Sequence, residues 1–137
     1  MPRNSRLHTG AYIVCADEKP DILELLISTL RQADHCVFAA YDGLAALELV
    51  GGLRNIDLLI TNTRMPGMNG PQLIRQVRAE FPHLPILYVK NREAGDGIPE
   101  GLPDDVPVLA EPFTGEQLLA AIQPLLARGA DRSEGAP

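Results

Sequence analysis

Residues 57–71 read DLLITNTRMPGMNGP, and most of the fold can be worked outward from them. Leu58, Leu59 and Ile60 form an unbroken apolar run, so Asp57–Thr61 has the pattern of a strand covered on both faces. Pro71 suits the first turn of a helix, because its fixed φ is already helical and its missing N–H has no partner to lose there. That helix is expected to run to about Phe81, with Leu73, Ile74 and Val77 inward. A buried strand leading into a helix is half of a βαβ unit.

The same alternation extends in both directions. Tyr12–Ala16 is a short apolar run ending at an acidic pair, and reads as a first buried strand. Pro20 or Asp21 opens a helix with Ile22, Leu25, Leu26, Thr29 and Leu30 on one face. Val37–Ala40 reads as the second strand. Asp42 is a suitable N-cap for a helix over 43–50, with Gly51-Gly52 as its stop. Pro85–Val89 and Val106–Ala110 read as the fourth and fifth strands, and Thr114 with Gln117 has the spacing of a capping box for a last helix. Pro124 is expected to kink or end that helix. The interval 91–105 holds Gly95, Gly97, Pro99, Gly101 and Pro103, poor helix material, so a helix there is absent, short or irregular. Five strands interleaved with helices predict an α/β doubly wound parallel sheet with right-handed crossovers. The domain is expected over 11–127, after an extension at 1–10 and before a flexible tail at 128–137.

Composition narrows the function. The 137 residues suit one domain, and 45% of them are hydrophobic, enough for a sizeable core. A net charge of −6 and the lack of a Lys/Arg run make nucleic acid a poor direct partner. No segment is long and apolar enough to span a bilayer or act as a secretion signal, so the chain reads as cytoplasmic with no membrane partner. Cys15 and Cys36 each sit in an apolar run and read as reduced thiols. His8, His35 and His83 are scattered and lack metal-ligand spacing.

The stretch from Thr61 to Gly70, TNTRMPGMNG, closely resembles the signature that follows the third strand of bacterial response-regulator receiver domains. In that family the phosphoacceptor Asp ends the strand and Met-Pro-x-x-x-Gly follows. Asp17-Glu18 matches the end of the family's acidic cluster after the first strand, and Pro112-Phe113 matches the Pro-Phe after its fifth-strand lysine. The three motifs fall in order, and the likeness covers roughly residues 11–127. It implies a flavodoxin-like sheet of order 2-1-3-4-5 with its site at the carboxyl ends of the strands, a rule that this family itself commonly illustrates.

Receiver chemistry asks four things of that edge. Two acids hold Mg²⁺, a hard ion that wants oxygen ligands. A third carboxylate attacks phosphorus. A lysine neutralises phosphoryl charge, and a Thr or Ser hydroxyl binds the product. Position by position, the resemblance puts Ala16 at the first acid and Asp17 at the second. Asn62 stands at the acceptor, and its neutral amide is a very poor nucleophile. Lys90 stands at the hydroxyl, Glu111 at the lysine, and Val108 at the aromatic switch. Asp17, helped by the Asn62 oxygen and the backbone carbonyl of Arg64, would make at best a weak remnant Mg²⁺ site, so no cofactor is expected. Asp57 begins its strand and lies about 16 Å from Asn62 at strand rise, too far to replace it; it closes a turn or caps the strand. Asp42-Gly43 is a turn and cap.

Lys90 and Glu111 end neighbouring strands in the implied order. Either they form an ion bridge across the vacated pocket, or both are solvated products of drift worth at most about 1 kcal/mol as a pair. The expected function is that of a stand-alone, non-enzymatic pseudo-receiver in two-component signalling, acting by protein contacts without a phosphoryl group. No output domain is expected after the last helix. Partners implied by the resemblance are a histidine kinase, another regulator or a second copy, met through Pro20–Gln32 and the loop at 111–113, or through the remodelled 96–105 segment. Two alternatives stay open: a phosphoacceptor using a non-standard residue, and a small-molecule-binding flavodoxin-like module. Against the second, Ala16-Asp17-Glu18-Lys19-Pro20 stands where a glycine-rich phosphate loop would follow the first strand.

Overall fold

The computed structural model describes residues 10–62, 65–90 and 101–135, with side chains to residue 128. In chain order the elements are β1 (Tyr12–Ala16), α1 (Pro20–Gln32), β2 (Cys36–Ala40), α2 (Gly43–Leu53), β3 (Leu58–Asn62), α3 (Gly70–Glu80), β4 (Ile86–Lys90), β5 (Val108–Ala110) and α4 (Gly115–Gly135). All strand pairs are parallel, in the order β2-β1-β3-β4-β5. The expected α/β, flavodoxin-like sheet is therefore present.

Side chains alternate between the two faces of the sheet, as strand pleating requires. Ile13, Cys15, Leu58, Ile60, Leu87 and Val89 pack with Leu23, Leu26 and Leu30 of α1 and Leu118, Ile122 and Leu125 of α4. Val14, Ala16, Leu59, Ile86 and Tyr88 pack with Ala46 and Val50 of α2 and Leu73, Ile74 and Val77 of α3. Every residue of β3 is buried, so the central strand has no solvent face.

Side chains close the starts of α2, α3 and α4. Asp42 accepts from the Ala45 N–H at 2.7 Å, and Thr114 and Gln117 exchange hydrogen bonds at 3.0 and 2.8 Å. Asn69 and Gln72 form a second capping box at the start of α3, each bond 2.9 Å. At the amino end of the sheet, Asp57 Oδ2 accepts from the Tyr12 N–H at 2.8 Å and the Asp57 N–H donates to the Tyr12 carbonyl at 2.7 Å. Asp57 thus closes a strand start, as expected.

Several expected boundaries move. The Gly51-Gly52 pair does not stop α2, which continues to Leu53; the left-handed cap is Arg54, at φ 59°. Burial of Val50 offsets the helical cost of the glycines. Arg54 is held in its cap by an ion pair with Glu80 at 3.1 Å and by the ring of Phe81, 5.3 Å below its guanidinium. The buried stripe of α1 is Leu23, Leu26 and Leu30 rather than one through Leu25, which is 38% exposed. The helix meets the start of α4 on a second side, where Thr29 faces Gly115, and this turns the inward stripe. Pro124 does not end α4, which runs on to Gly135, past the boundary expected at residue 128. Leu118, Ile122 and Leu125 are buried on both sides of the proline and hold the axis against the loss of one hydrogen bond. β5 begins only at Val108, because Pro107 has no N–H for the ladder, although its carbonyl accepts from the Tyr88 N–H at 3.0 Å.

Between β4 and β5, residues 101–107 contain turns and no helix, whereas 91–100 lie outside the described residues, and with them most of the expected irregular segment. The return to the sheet is pinned by Arg78. Its Nε donates to the Leu84 carbonyl at 3.0 Å and its two terminal nitrogens meet Asp105 at 3.2 and 2.8 Å. That hydrogen bond and charge hold the Asp105 carboxyl below the usual carboxylate range.

The glycine that ends the MPGMNG motif has a steric reason. A Cβ on Gly70 would run into the backbone carbonyl of Asn62 and crowd Cε1 of Tyr88 at 3.0 Å. Gly70→Ala is expected to cost about 3 kcal/mol in urea or thermal unfolding, the order of a core overpacking. Gly52→Ala meets nothing within 4 Å, and is expected to gain about 0.5–1 kcal/mol from helix propensity.

Candidate functional site

Parallel register decides which side chains share the carboxyl edge. Ala16 pairs with Thr61, so the next residues, Asp17 and Asn62, lie side by side and on one face. Asn62 pairs with Val89, and Val89 with Leu109. Glu111, two residues past Leu109, returns to that face. Asp17, Asn62 and Glu111 therefore converge above α1 and α4. Lys90 pairs with Ala110, which assigns it the opposite parity.

This parity bears on the expected Lys90–Glu111 bridge. The two residues are joined through the backbone, where the Glu111 N–H donates to the Lys90 carbonyl at 2.9 Å. Ion pairs of the described surface include Arg54–Glu80 and Arg78–Asp105.

Asp17 is only 1% exposed. Its Oδ1 accepts from the Lys19 N–H at 2.9 Å, and its own N–H donates to the Ala40 carbonyl at 3.1 Å. Burial pushes its carboxyl up to about 6, against the lowering effect of the Lys19 N–H, and the nearby Glu111 carboxylate pushes the same way as burial. Asn62 is also 1% exposed, and neither its amide oxygen nor its nitrogen has a hydrogen-bond partner among the described residues. Such an orphan is unusual in a folded interior. Glu111 is half-buried, with its Oε2 shielded from solvent, and precedes a cis Glu111–Pro112 bond.

The other positions are neutral or turned away. Ala16 is buried on the α2/α3 face, and Val108 is half-buried at the start of β5. Cys15 is fully buried beneath Asp17, and burial pushes its thiol well up, as expected for an inert core thiol; Cys36 is half-buried, and neither is in a disulfide. His35 is tied locally, its Nδ1 accepting from the Ala11 N–H at 2.9 Å. Thr61 makes long contacts, its hydroxyl 3.4 Å from the Asn62 carbonyl and 4.0 Å from Met65 Sδ.

The donors present do not fit Mg²⁺. Ala16 offers no ligand, Asn62 only an amide oxygen, and of the two carboxylates Asp17 already holds a backbone N–H. No group of three or more His, Cys, Asp or Glu side chains that could hold a metal ion occurs among the described residues. The Arg64 carbonyl lies outside the described residues.

Beside the edge lies a groove of about 290 Å³ between α1 and the β5–α4 loop. Ile22, Leu25, Pro112 and Phe113 form its apolar walls, and Lys19, Asp21 and Glu111 its charged rim. Of the face expected on α1, Leu26 and Leu30 are buried, Ile22 packs against the core and also lines the groove, and Leu25 is groove wall.

Comparison with known proteins gives this edge a family. The Response regulator receiver domain family matches residues 13–123. The chain belongs to that family. The receiver is 34% identical over 124 residues to response regulator GtcR of Aneurinibacillus migulanus, covering 89% of this chain and 50% of that protein. It thus spans about half the length of the curated relatives it matches. It is also similar to a solved response regulator receiver protein from Sinorhizobium medicae, at 31% identity and a TM-score of 0.72, covering 87% of this chain and 97% of that one. For the chemotaxis response regulator CheY4 of Vibrio cholerae the values are 28%, 0.75, 86% and 100%.

The buried Asp17 makes this receiver's stability pH-dependent with a definite sign. Its carboxyl is raised from 3.8 to about 6 on folding, so the native state binds the proton more tightly than the unfolded chain. The cost of the charged form is full above about pH 6 and disappears as pH falls through the window to about 4. Asp17→Asn is expected to stabilise the protein by about 2 kcal/mol at pH 7.5. In urea melts that gain should shrink toward zero by about pH 4.

Proposed function

We propose that this receiver signals through protein contacts that do not depend on a phosphoryl group at Asn62. The observation that carries the reading is the pairing of a buried amide at the end of β3 with a carboxylate, Glu111, after β5. An amide nitrogen in resonance with its carbonyl does not attack phosphorus, and Glu111 and Asp17 would repel the incoming anion rather than neutralise it. With an amide between Asp17 and Glu111, and no group of three metal-ligating side chains among the described residues, Mg²⁺ has no role at the edge in this reading.

The module is then a binding partner and not an enzyme. Its partners are proteins of the two-component circuit, a histidine kinase or another regulator, or a second copy of the chain. The α1 groove, the loop at 111–113 and the segment before β5 offer surfaces of different chemistry for them. A net charge of −6 disfavours nucleic acid, and no helix among the described residues is long and apolar enough to cross a membrane. These features suit a cytoplasmic protein.

The test is intact mass after incubation with Mg²⁺ and a small-molecule phosphodonor, beside Asn62→Asp. Wild type should gain no phosphoryl group. The variant should gain none or very little, because Ala16, Lys90 and Glu111 stand in the chain where the family's acid, hydroxyl and lysine would be. A wild-type mass gain refutes the proposal and supports a phosphoacceptor on a non-standard residue, which peptide mapping would locate.

A further inference from the structure

β2 is an end strand of the sheet, and among the described residues it has a neighbour, β1, on one side only. We propose that this open edge is where a second copy of the chain docks, β2 pairing antiparallel with its own copy about a two-fold axis beside Phe38. The inference goes beyond the reading above, which names a second copy among the partners but gives it no surface.

Three observations select a copy of this chain. The first is the backbone. The Cys36 N–H donates to the Ala11 carbonyl and the Ala40 carbonyl accepts from the Asp17 N–H, so the even-numbered residues of β2 serve β1. The ladder alternates, and the N–H and C=O groups of Val37 and Ala39 therefore point outward. With Phe38 opposite Phe38, an antiparallel copy pairs all five residues Cys36–Ala40. Val37 of each copy then exchanges both hydrogen bonds with Ala39 of the other. The same register keeps the two sheet faces in phase, with the Phe38 rings meeting on the α2 side.

The second is what the edge lacks. Proteins commonly guard an end strand with lysine, proline or a bulge. β2 reads CVFAA, without charge or proline, and Ala39 is exposed. The acids nearest its ends, Asp34 and Asp42, lie outside the five paired residues, and Asp42 is engaged as the cap of α2. α2 itself has a single charged residue, Glu48, within Gly43–Leu53. Gly43 and Gly51 of that helix face Met68 and Glu80, so its other flank, Ala45, Leu49 and Leu53, lies toward the edge. A helix apolar on so many sides is typical of one that is covered.

The third is charge. Thr29 of α1 faces Gly115 of α4, so the helical period turns Pro20, Glu24, Ile27 and Arg31 the other way, over β2. α1 runs against β2, with Glu24 toward the strand's carboxyl end and Arg31 toward its amino end. The two-fold axis lays two α1 helices side by side in opposite directions. Each Glu24 then stands beside the Arg31 of the other copy, with Ile27 between. A flank acidic at one end and basic at the other complements itself only in this orientation.

The experiment is sedimentation equilibrium of the full chain at pH 7.5, from about 5 to about 500 µM. A reversible monomer–dimer equilibrium with no larger species is expected, because a two-fold contact closes on itself. Ala39→Lys puts a charge on the edge, and Ala39→Pro removes an outward N–H while sparing the bonds to β1; each should weaken the dimer about tenfold or more. Glu24→Arg and Arg31→Glu should each weaken it about fivefold, and the double variant should regain wild-type affinity. That rescue is a readout that a change in fold stability does not produce, so the charge reversals decide the matter even where a change at Ala39 impairs folding. A chain that is monomeric over the whole range overturns the proposal. So does a dimer indifferent to Ala39→Lys and to both charge reversals, which places the contact elsewhere, or an open series of larger assemblies. A monomer that stays unphosphorylated loses only this interface, whereas a β2-edge dimer that gains a phosphoryl group keeps the interface and loses the reading above.

Discussion

The register of β3 is the constraint on which the rest of the molecule depends. Its five residues, Leu58–Asn62, are all buried, with apolar partners on both faces. A slip of one residue would turn each of these side chains to the other face and break both halves of the core at once. The strand is therefore locked, and what it carries at its end is locked with it. Gly70 completes the lock by allowing the start of α3 to lie directly on the Asn62 carbonyl.

That rigidity lets the edge carry conflicting polar groups without disturbing the fold. Asp17 is buried, and nearby Glu111 adds to the burial that raises its carboxyl, while a neutral amide beside it has nothing to bond among the described residues. Both are costly, Asp17 because burial disfavours its charge and Asn62 because its amide loses water without gaining a partner. Two large packed faces can carry such a corner, and proteins tolerate local conflict of this kind mainly where ligands bind. The groove arises from the same packing. Turning α1 so that Leu23, Leu26 and Leu30 meet the sheet leaves Ile22 and Leu25 to face Pro112 and Phe113 across open space.

The sheet order, the helix starts at Pro20, Asp42 and Thr114, and the identities of Ala16, Asp17, Asn62, Lys90 and Glu111 at the strand ends were legible in the chain alone. These depend on short-range rules: apolar runs, proline φ, hydroxyl and carboxylate caps, and the fixed spacing of a motif. Boundaries that long-range packing controls were not legible. Gly51-Gly52 and Pro124 look like stops, but buried neighbours on either side carried both helices through. The inward stripe of α1 was misplaced because its local pattern fits two overlapping faces and only contact with α4 selects between them.

The edge divides in the same way. The sequence by itself determined that an amide, Asn62, ends the third strand and that a carboxylate, Glu111, follows the fifth, since residue type is a local fact. Only the tertiary structure decided which of these side chains meet. Parallel register gives Asp17, Asn62 and Glu111 one parity and Lys90 the other, so which residues share a face follows from strand alignment and not from nearness of strand ends. The reason is geometric: pleating reverses side-chain direction at every residue, and the alignment of strands far apart in the chain exists only once the whole sheet has assembled.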